Sequence, residues 1–147
     1  MHTHDPRCGE RTVHMSGVSD LPQMLAQMRP ELRPGTFVFL ALTEPPPAGL
    51  HPVMTFAEDE ALTVIVPQHE ADIQKCSYES AFAWISLRVQ SDLEAVGLTA
   101  AFSNALSEGG ISCNVVAAYY HDHIFVPAEA ASMAMDILNG LSGEHHL

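Results

Sequence analysis

The residues best suited to chemistry lie in one short run, His121-Asp122-His123, preceded by Tyr119 and Tyr120. On a strand, alternation sends the two imidazoles to one face, a spacing compatible with two ligands of a zinc ion. Imidazole also titrates near neutrality, so the same pair can make a ligand or partner contact depend on pH. Two ligands are not a site, however, and no third is identifiable in the sequence. Aspartate is a frequent turn residue. The preferred reading is a hairpin with a tight turn at His121 and Asp122, in which Tyr119, Tyr120, His121, Asp122 and His123 serve the hairpin or an interface. A second group, His2, His4, Cys8 and His14, lies in a polar segment that nothing holds in a fixed geometry. No GxSxG, HExxH, P-loop or paired-cysteine motif occurs, and Glu79 and Glu108 have no evident carboxylate partner. No catalytic residue, metal or cofactor is assigned.

Such residues need a scaffold, and its periodicities are legible. Residues 1–18 are polar and aperiodic, an expected mobile extension, within which Met15 is an alternative start. Asp20 suits an N-cap, and Leu21, Met24, Leu25 and Met28 recur at helical spacing until Pro30 stops the helix. Pro34 and Gly35 make a turn. Residues 36–42 (TFVFLAL) predict a buried strand. Residues 44–49 (EPPPAG) predict a loop, because prolines cannot join a sheet ladder. Residues 52–56 and 62–66 predict a hairpin, and residues 69–74 a short helix.

The second half is clearer. In residues 82–90 (FAWISLRVQ), Phe82, Trp84, Ser86, Arg88 and Gln90 face one way and Ala83, Ile85, Leu87 and Val89 the other. A helix follows with the apolar stripe Ala95, Leu98, Ala101, Phe102 and Ala105, ended by Gly109 and Gly110. Ser91-x-x-Glu94 fits a capping box. Gly97 inside a helix would cost about 1 kcal/mol relative to alanine, so a loop from Ser91 to Val96 and a start at Gly97 and Leu98 is preferred. Residues 111–119 predict a strand with Ile111, Cys113, Val115 and Ala117 on one face, and residues 123–126 its return. Pro127 opens a last helix with the stripe Ala130, Met133, Ala134, Ile137 and Leu141, ended by Gly140. The order β-α-β-β-α is one strand short of a ferredoxin-like unit. The first half has strands to spare and is expected to supply the missing one, interlocking the halves.

Composition narrows the function. The chain has 147 residues, of which 47% are hydrophobic, with a formal net charge of −12. That is enough apolar material for a packed core, and too acidic for nucleic-acid binding, which draws on clustered Lys and Arg. Three widely spaced cysteines, Cys8, Cys76 and Cys113, read as free thiols. No stretch approaches the roughly 20 apolar residues of a membrane span, and no signal-peptide core opens the chain, so a cytoplasmic location without membrane association is expected.

The stretch GLTAAFSNALSEGGISCNVVAAYYHDHIFVP resembles the helix–strand–hairpin region of the ACT-domain superfamily. It is more closely similar to small bacterial proteins of uncharacterised function made of tandem ACT-like domains. The run from Tyr119 to Pro127 (YYHDHIFVP), the Gly97-Leu98 helix opening and the strand from Gly110 to Val116 carry the likeness, which extends over residues 82–140; the first half fits the general layout. The resemblance implies an α+β, ferredoxin-like fold of two interlocked ACT-like halves, with antiparallel sheets and helices on one face. Its expected divisions are residues 1–18 (extension), 19–77 (first half), 78–142 (second half) and 143–147 (tail).

It also implies a regulatory or sensing module, a homodimer or higher homo-oligomer, that binds a small effector, an amino acid, beside the loop between first strand and first helix. On that reading Asp92 or Glu94 holds an amino group. Gly97 and Leu98 meet a carboxylate at the helix N-terminus, Asn114 offers its amide, and Val96 and Val115 complete the ligand-binding set. Each has a plainer role: Gly97 as a tight junction, Asp92 and Glu94 as helix-dipole partners, Asn114 as a structural hydrogen bond. Two further functions stand beside the sensor. One is an interaction module pairing through sheet edges. The other is a metal-dependent enzyme built on His121, Asp122 and His123.

Overall fold

The structure, a computed structural model, describes residues 20–89 and 97–143. Its elements are α1 (Leu21–Ala26), β1 (Pro30–Leu32), β2 (Phe37–Leu42), β3 (Met54–Ala57), β4 (Leu62–Pro67), α2 (Gln68–Ile73), β5 (Phe82–Leu87), α3 (Leu98–Glu108), β6 (Asn114–Ala117), β7 (Asp122–Pro127), a 3-10 turn (Ala128–Ala130) and α4 (Ala131–Gly143). The fold is α+β with antiparallel pairing throughout, in the strand order β3-β4-β2-β5-β7-β6, and β1 also pairs with β5.

The two halves repeat one another. Phe37 pairs with Pro67 as Phe82 pairs with Pro127. Met54 lies opposite Ile65 as Asn114 lies opposite Phe125. The backbone bond from Gln68 N–H to the Thr36 carbonyl has its counterpart in Ala128 N–H to Ala81. Phe37 and Phe82, equivalent by this repeat, are also the one pair joining β2 to β5, which puts them on the pseudo-two-fold axis. The halves differ in what joins the first strand to the second. From Leu42 to Met54 the chain is a proline-rich loop; from Leu87 to Asn114 it carries α3.

The missing strand of the second half is β1. Pro30, Glu31 and Leu32 pair with Leu87, Ser86 and Ile85, filling the open edge of β5. Proline is tolerated there because it begins an edge strand. Arg88 clamps the junction: its Nε donates to Glu31 Oε2 at 2.6 Å, and its backbone N–H donates to the Met28 carbonyl at 2.8 Å. Gly35, at φ 85°, then redirects the chain from β5 toward β4. Met24 and Met28 are fully buried in the second half's core, so the α1–β1 segment belongs physically to that half.

Alternation decides the layers. Val38, Leu40, Val64 and Val66 face outward, under α2 and the loop bearing Leu50. Ala83, Ile85, Leu87, Ile124 and Val126 face outward under α1, α3 and α4. The inward residues Phe37, Ile65 and Phe125 are buried against each other, with Phe39, Met54, Phe82, Trp84 and Val116 around them. In a flat sheet Phe39 and Phe125 would lie two strands apart, about 9–10 Å, yet their ring centroids are 5.8 Å apart. The sheet is therefore folded at the Phe37–Phe82 pair, so that the two half-sheets face each other across an aromatic layer.

Several local expectations are corrected. The hairpin turns at Tyr119 and Tyr120, not at His121 and Asp122; Asp122 is a strand residue paired with both Leu87 and Ala117. β6 is confined to Asn114–Ala117, because residues 111–113 form the exit from α3 and only four residues find partners on β7. Pro127 closes β7, and Gly140 lies inside α4, which runs on to Gly143. Of the expected stripe, Ala134 is buried and Ala130, Ile137 and Leu141 pack against the same core, whereas Met133 is 52% exposed and Leu138 is buried instead. The opening of α3 at Leu98, with Gly97 as N-cap, is as expected.

Candidate functional site

The aromatic layer between the halves is where side chains from distant parts of the chain converge, and two clefts open into it. Each joins the first-strand aromatic of one half to the second strand of the other: Trp84 with Met54 in one, Phe39 with Asn114 in the other. By the repeat, Trp84 corresponds to Phe39 and Met54 to Asn114. The clefts are thus pseudo-symmetric positions with diverged chemistry.

The Trp84 cleft, of about 230 Å³, is walled by Val53, Met54, Val116, Ala118 and Phe125, with His123 as its polar group. Strand alternation puts Trp84, Ser86, His123 and Phe125 on the inner face. Trp84 stacks on Phe125 at 6.0 Å and meets Phe37 edge-on at 5.3 Å. The Arg33 guanidinium sits 4.5 Å from the Trp84 ring centroid, held in place because Arg33 N–H donates to the Trp84 carbonyl.

The electrostatics of His123 follow from its neighbours. Trp84 Nε1–H donates to His123 Nδ1 at 3.0 Å, and the fully buried Ser86 hydroxyl lies 3.0 Å from the same nitrogen. An indole N–H can only donate, so Nδ1 is the unprotonated nitrogen and Nε2 carries the hydrogen. Burial, and then the charges of His121, Arg33 and Arg88, hold the imidazole below its usual pKa. His123 is therefore a neutral donor through Nε2. Burial pushes the neighbouring Asp122 carboxyl up, with His121 opposing.

The Asn114 cleft, of about 300 Å³, is lined by Phe39, Phe82, Asn114 and the connecting residues Ser77, Tyr78, Glu79 and Ser80. Asn114 Nδ2 donates to the Phe125 carbonyl at 3.2 Å. Its structural role is thus real, and its amide oxygen is directed away from that bond.

The other expected site residues are placed differently. Asp92, Glu94 and Val96 lie outside the described residues. Gly97 has φ 112°, and a Cβ there would meet Leu21 at 3.6 Å; Leu98 is buried in the outer core. Asn114 lines an inner cleft, whereas Gly97 lies against Leu21 and Leu98 is buried in the outer core, on the other face of the sheet. The structure does not bring Asn114 together with Gly97 and Leu98. Val115 is 37% exposed on β6. Tyr119 and Tyr120 are exposed and pack edge-on at 5.0 Å. The His121 and His123 rings are 6.4 Å apart, and among the described residues no group of three His, Cys, Asp or Glu side chains is placed to hold a metal. Sequence reasoning missed Trp84, Phe39 and Phe82 as site residues, although the alternation of residues 82–90 already puts Phe82 and Trp84 on one face.

Residues 16–83 match one ACT-domain family profile and residues 79–140 match a second. Among solved structures, a protein of unknown function from Vibrio cholerae, described as a possible transport protein, is 40% identical over 86% of this chain and 99% of its own, with a TM-score of 0.75. A protein from Agrobacterium tumefaciens is 17% identical over 79% of this chain and 90% of its own (TM-score 0.57). The ligand-free regulatory subunit of aspartate kinase from Thermus thermophilus is 12% identical over 79% of this chain and 98% of its own (TM-score 0.54). The last two likenesses are of fold alone. Among curated proteins none matches. No helix among the described residues is long and apolar enough to cross a membrane.

Proposed function

The chain belongs to the ACT-domain superfamily as a tandem pair, and from that premise we propose that it is a non-catalytic sensing module that binds an amino acid in the Trp84 cleft. ACT domains are generally ligand-binding regulatory modules. The observation that carries the reading is the composition of this cleft: an apolar chamber built by both halves, with a neutral imidazole donor and an arginine beside its tryptophan. Such a cavity favours an apolar side chain within and a carboxylate toward Arg33. Because Met54 comes from one half and Trp84 from the other, occupancy would change how the halves pack, and so what a partner meets.

Trp84 is the only tryptophan, so its fluorescence reports directly on the cleft. Titration with each of the twenty amino acids should give saturable change with one or a few of apolar side chain, and Ala118→Phe, which fills the chamber, should abolish it. Twenty flat titrations, with no thermal stabilisation at millimolar ligand, would exclude amino-acid sensing here.

A second reading, assembly through sheet edges, is favoured by one observation. The terminal strands β3 and β6 present Phe56, 65% exposed, and Val115, 37% exposed, to solvent. Paired with a second copy, those edges would extend the sheet. Sedimentation of the wild type against Phe56→Lys and Val115→Lys tests it: a monomer in all three removes the reading.

A further inference from the structure

We infer that the Asn114 cleft is a separate binding site for a small organic ammonium ion, distinct in chemistry from the Trp84 cleft. The argument is one of donors and acceptors. The bond from Asn114 Nδ2 to the Phe125 carbonyl fixes the amide's orientation, since a carbonyl can only accept, and leaves Oδ1 an acceptor without a partner among the described residues. Tyr78 has no donor to spare: its hydroxyl donates to Asp72 Oδ1 at 2.6 Å and accepts from Gln68 Nε2 at 2.9 Å. Glu79 has no hydrogen-bond or ion-pair partner among the described residues. No Lys or Arg lines the cleft.

What remains is an anionic carboxylate, an amide oxygen and two serine hydroxyls around the phenyl rings of Phe39 and Phe82, whose centroids are 5.1 Å apart. That set matches an N–H-rich cation. The carboxylate and amide oxygen accept from its hydrogens, and the negative faces of the rings attract its charge. An anion would meet Glu79 with no cation to offset it. The volume of about 300 Å³ suits a compact ligand with a ring or short alkyl chain, and a chain of formal charge −12 concentrates cations around itself. The sister cleft, with Met54 in place of Asn114 and no carboxylate, lacks every one of these acceptors.

Benzylammonium is the probe, with benzyl alcohol and benzoate as neutral and anionic isosteres. Titration of the full chain followed by amide NMR should show benzylammonium binding at least tenfold tighter than benzyl alcohol, with benzoate not binding. The shifts should centre on Phe39, residues 77–82 and the Asn114 side-chain amide. Glu79→Gln, an exposed substitution that leaves the fold intact, should weaken the cation at least fivefold and leave the alcohol unchanged. Trp84→Phe should leave it bound, which separates this site from the amino-acid site proposed above. Equal affinity for cation and alcohol, an unaffected Glu79→Gln variant, or shifts spread away from this cleft would each overturn the assignment.

Discussion

The indole of Trp84 and the imidazole of His123 form a donor–acceptor pair, Nε1 to Nδ1 at 3.0 Å, between adjacent strands of the second half. The pair fixes the tautomer of the one imidazole in the apolar cleft and makes protonation unfavourable, since a hydrogen on Nδ1 would face the indole hydrogen.

This has a pH consequence whose sign is definite. The folded pKa of His123 lies below the ordinary value of about 6.5, so as pH falls the unfolded chain binds the proton first. Stability present at neutral pH is lost as pH drops through about 6.5 toward the folded pKa. Asp122, whose pKa is raised, works in the other direction: its contribution is present at low pH and lost as pH rises from the usual carboxylate range through the raised value. Urea denaturation between pH 5 and 8 should show the His123 slope, and His123→Asn, whose oxygen accepts from Trp84 without titrating, should flatten it. Trp84→Phe should raise the imidazole pKa measured by NMR.

Two glycines should respond oppositely to alanine. Gly97 holds φ 112° with room for a methyl group, so Gly97→Ala is resisted by backbone conformation alone and should cost about 1–3 kcal/mol. Gly140 lies in α4, where an added methyl group would meet nothing within 4 Å, and Gly140→Ala should stabilise by about 0.5–1 kcal/mol. Denaturant midpoints decide both.

Residues 79–143 alone lack β1 and the buried Met24 and Met28. That fragment should not unfold cooperatively and should associate through the bare β5 edge. Fusing residues 20–33 after Gly143 through a flexible linker should restore a cooperative transition. A cooperative fragment without the fusion would show that the borrowed strand is dispensable.

Burial pushes the Cys113 thiol up to about 11. At pH 8 only about one thiol in a thousand is then ionised, so alkylation by iodoacetamide should be slow and should quicken about tenfold per pH unit toward pH 11. A Cys8→Ser, Cys76→Ser background isolates the rate.

Phe102 is wholly buried between α3 and the second half-sheet. Phe102→Ala should cost about 3–5 kcal/mol, whereas Met133→Ala, at a position 52% exposed, should fall within about 0.5 kcal/mol in chemical denaturation.

Local patterning alone determined the alternation of residues 82–89 and the start of α3 at Leu98, because each is set by backbone geometry and burial over a few neighbouring residues, and the need for a borrowed strand came from counting the elements against a ferredoxin-like unit. It misjudged the turn, since Asp122 reads as a turn former until Leu87 and Ala117 lie beside it in register. It could not find β1 either: Pro30-Glu31-Leu32 has little strand character and becomes a strand because β5 has an edge to fill. The clefts were the furthest out of reach. Met54 meets Trp84, and Phe39 meets Asn114, only because the sheet folds at Phe37 and Phe82. That folding buries one aromatic layer against another, a gain that exists only between residues far apart in the chain and leaves no periodicity within either segment.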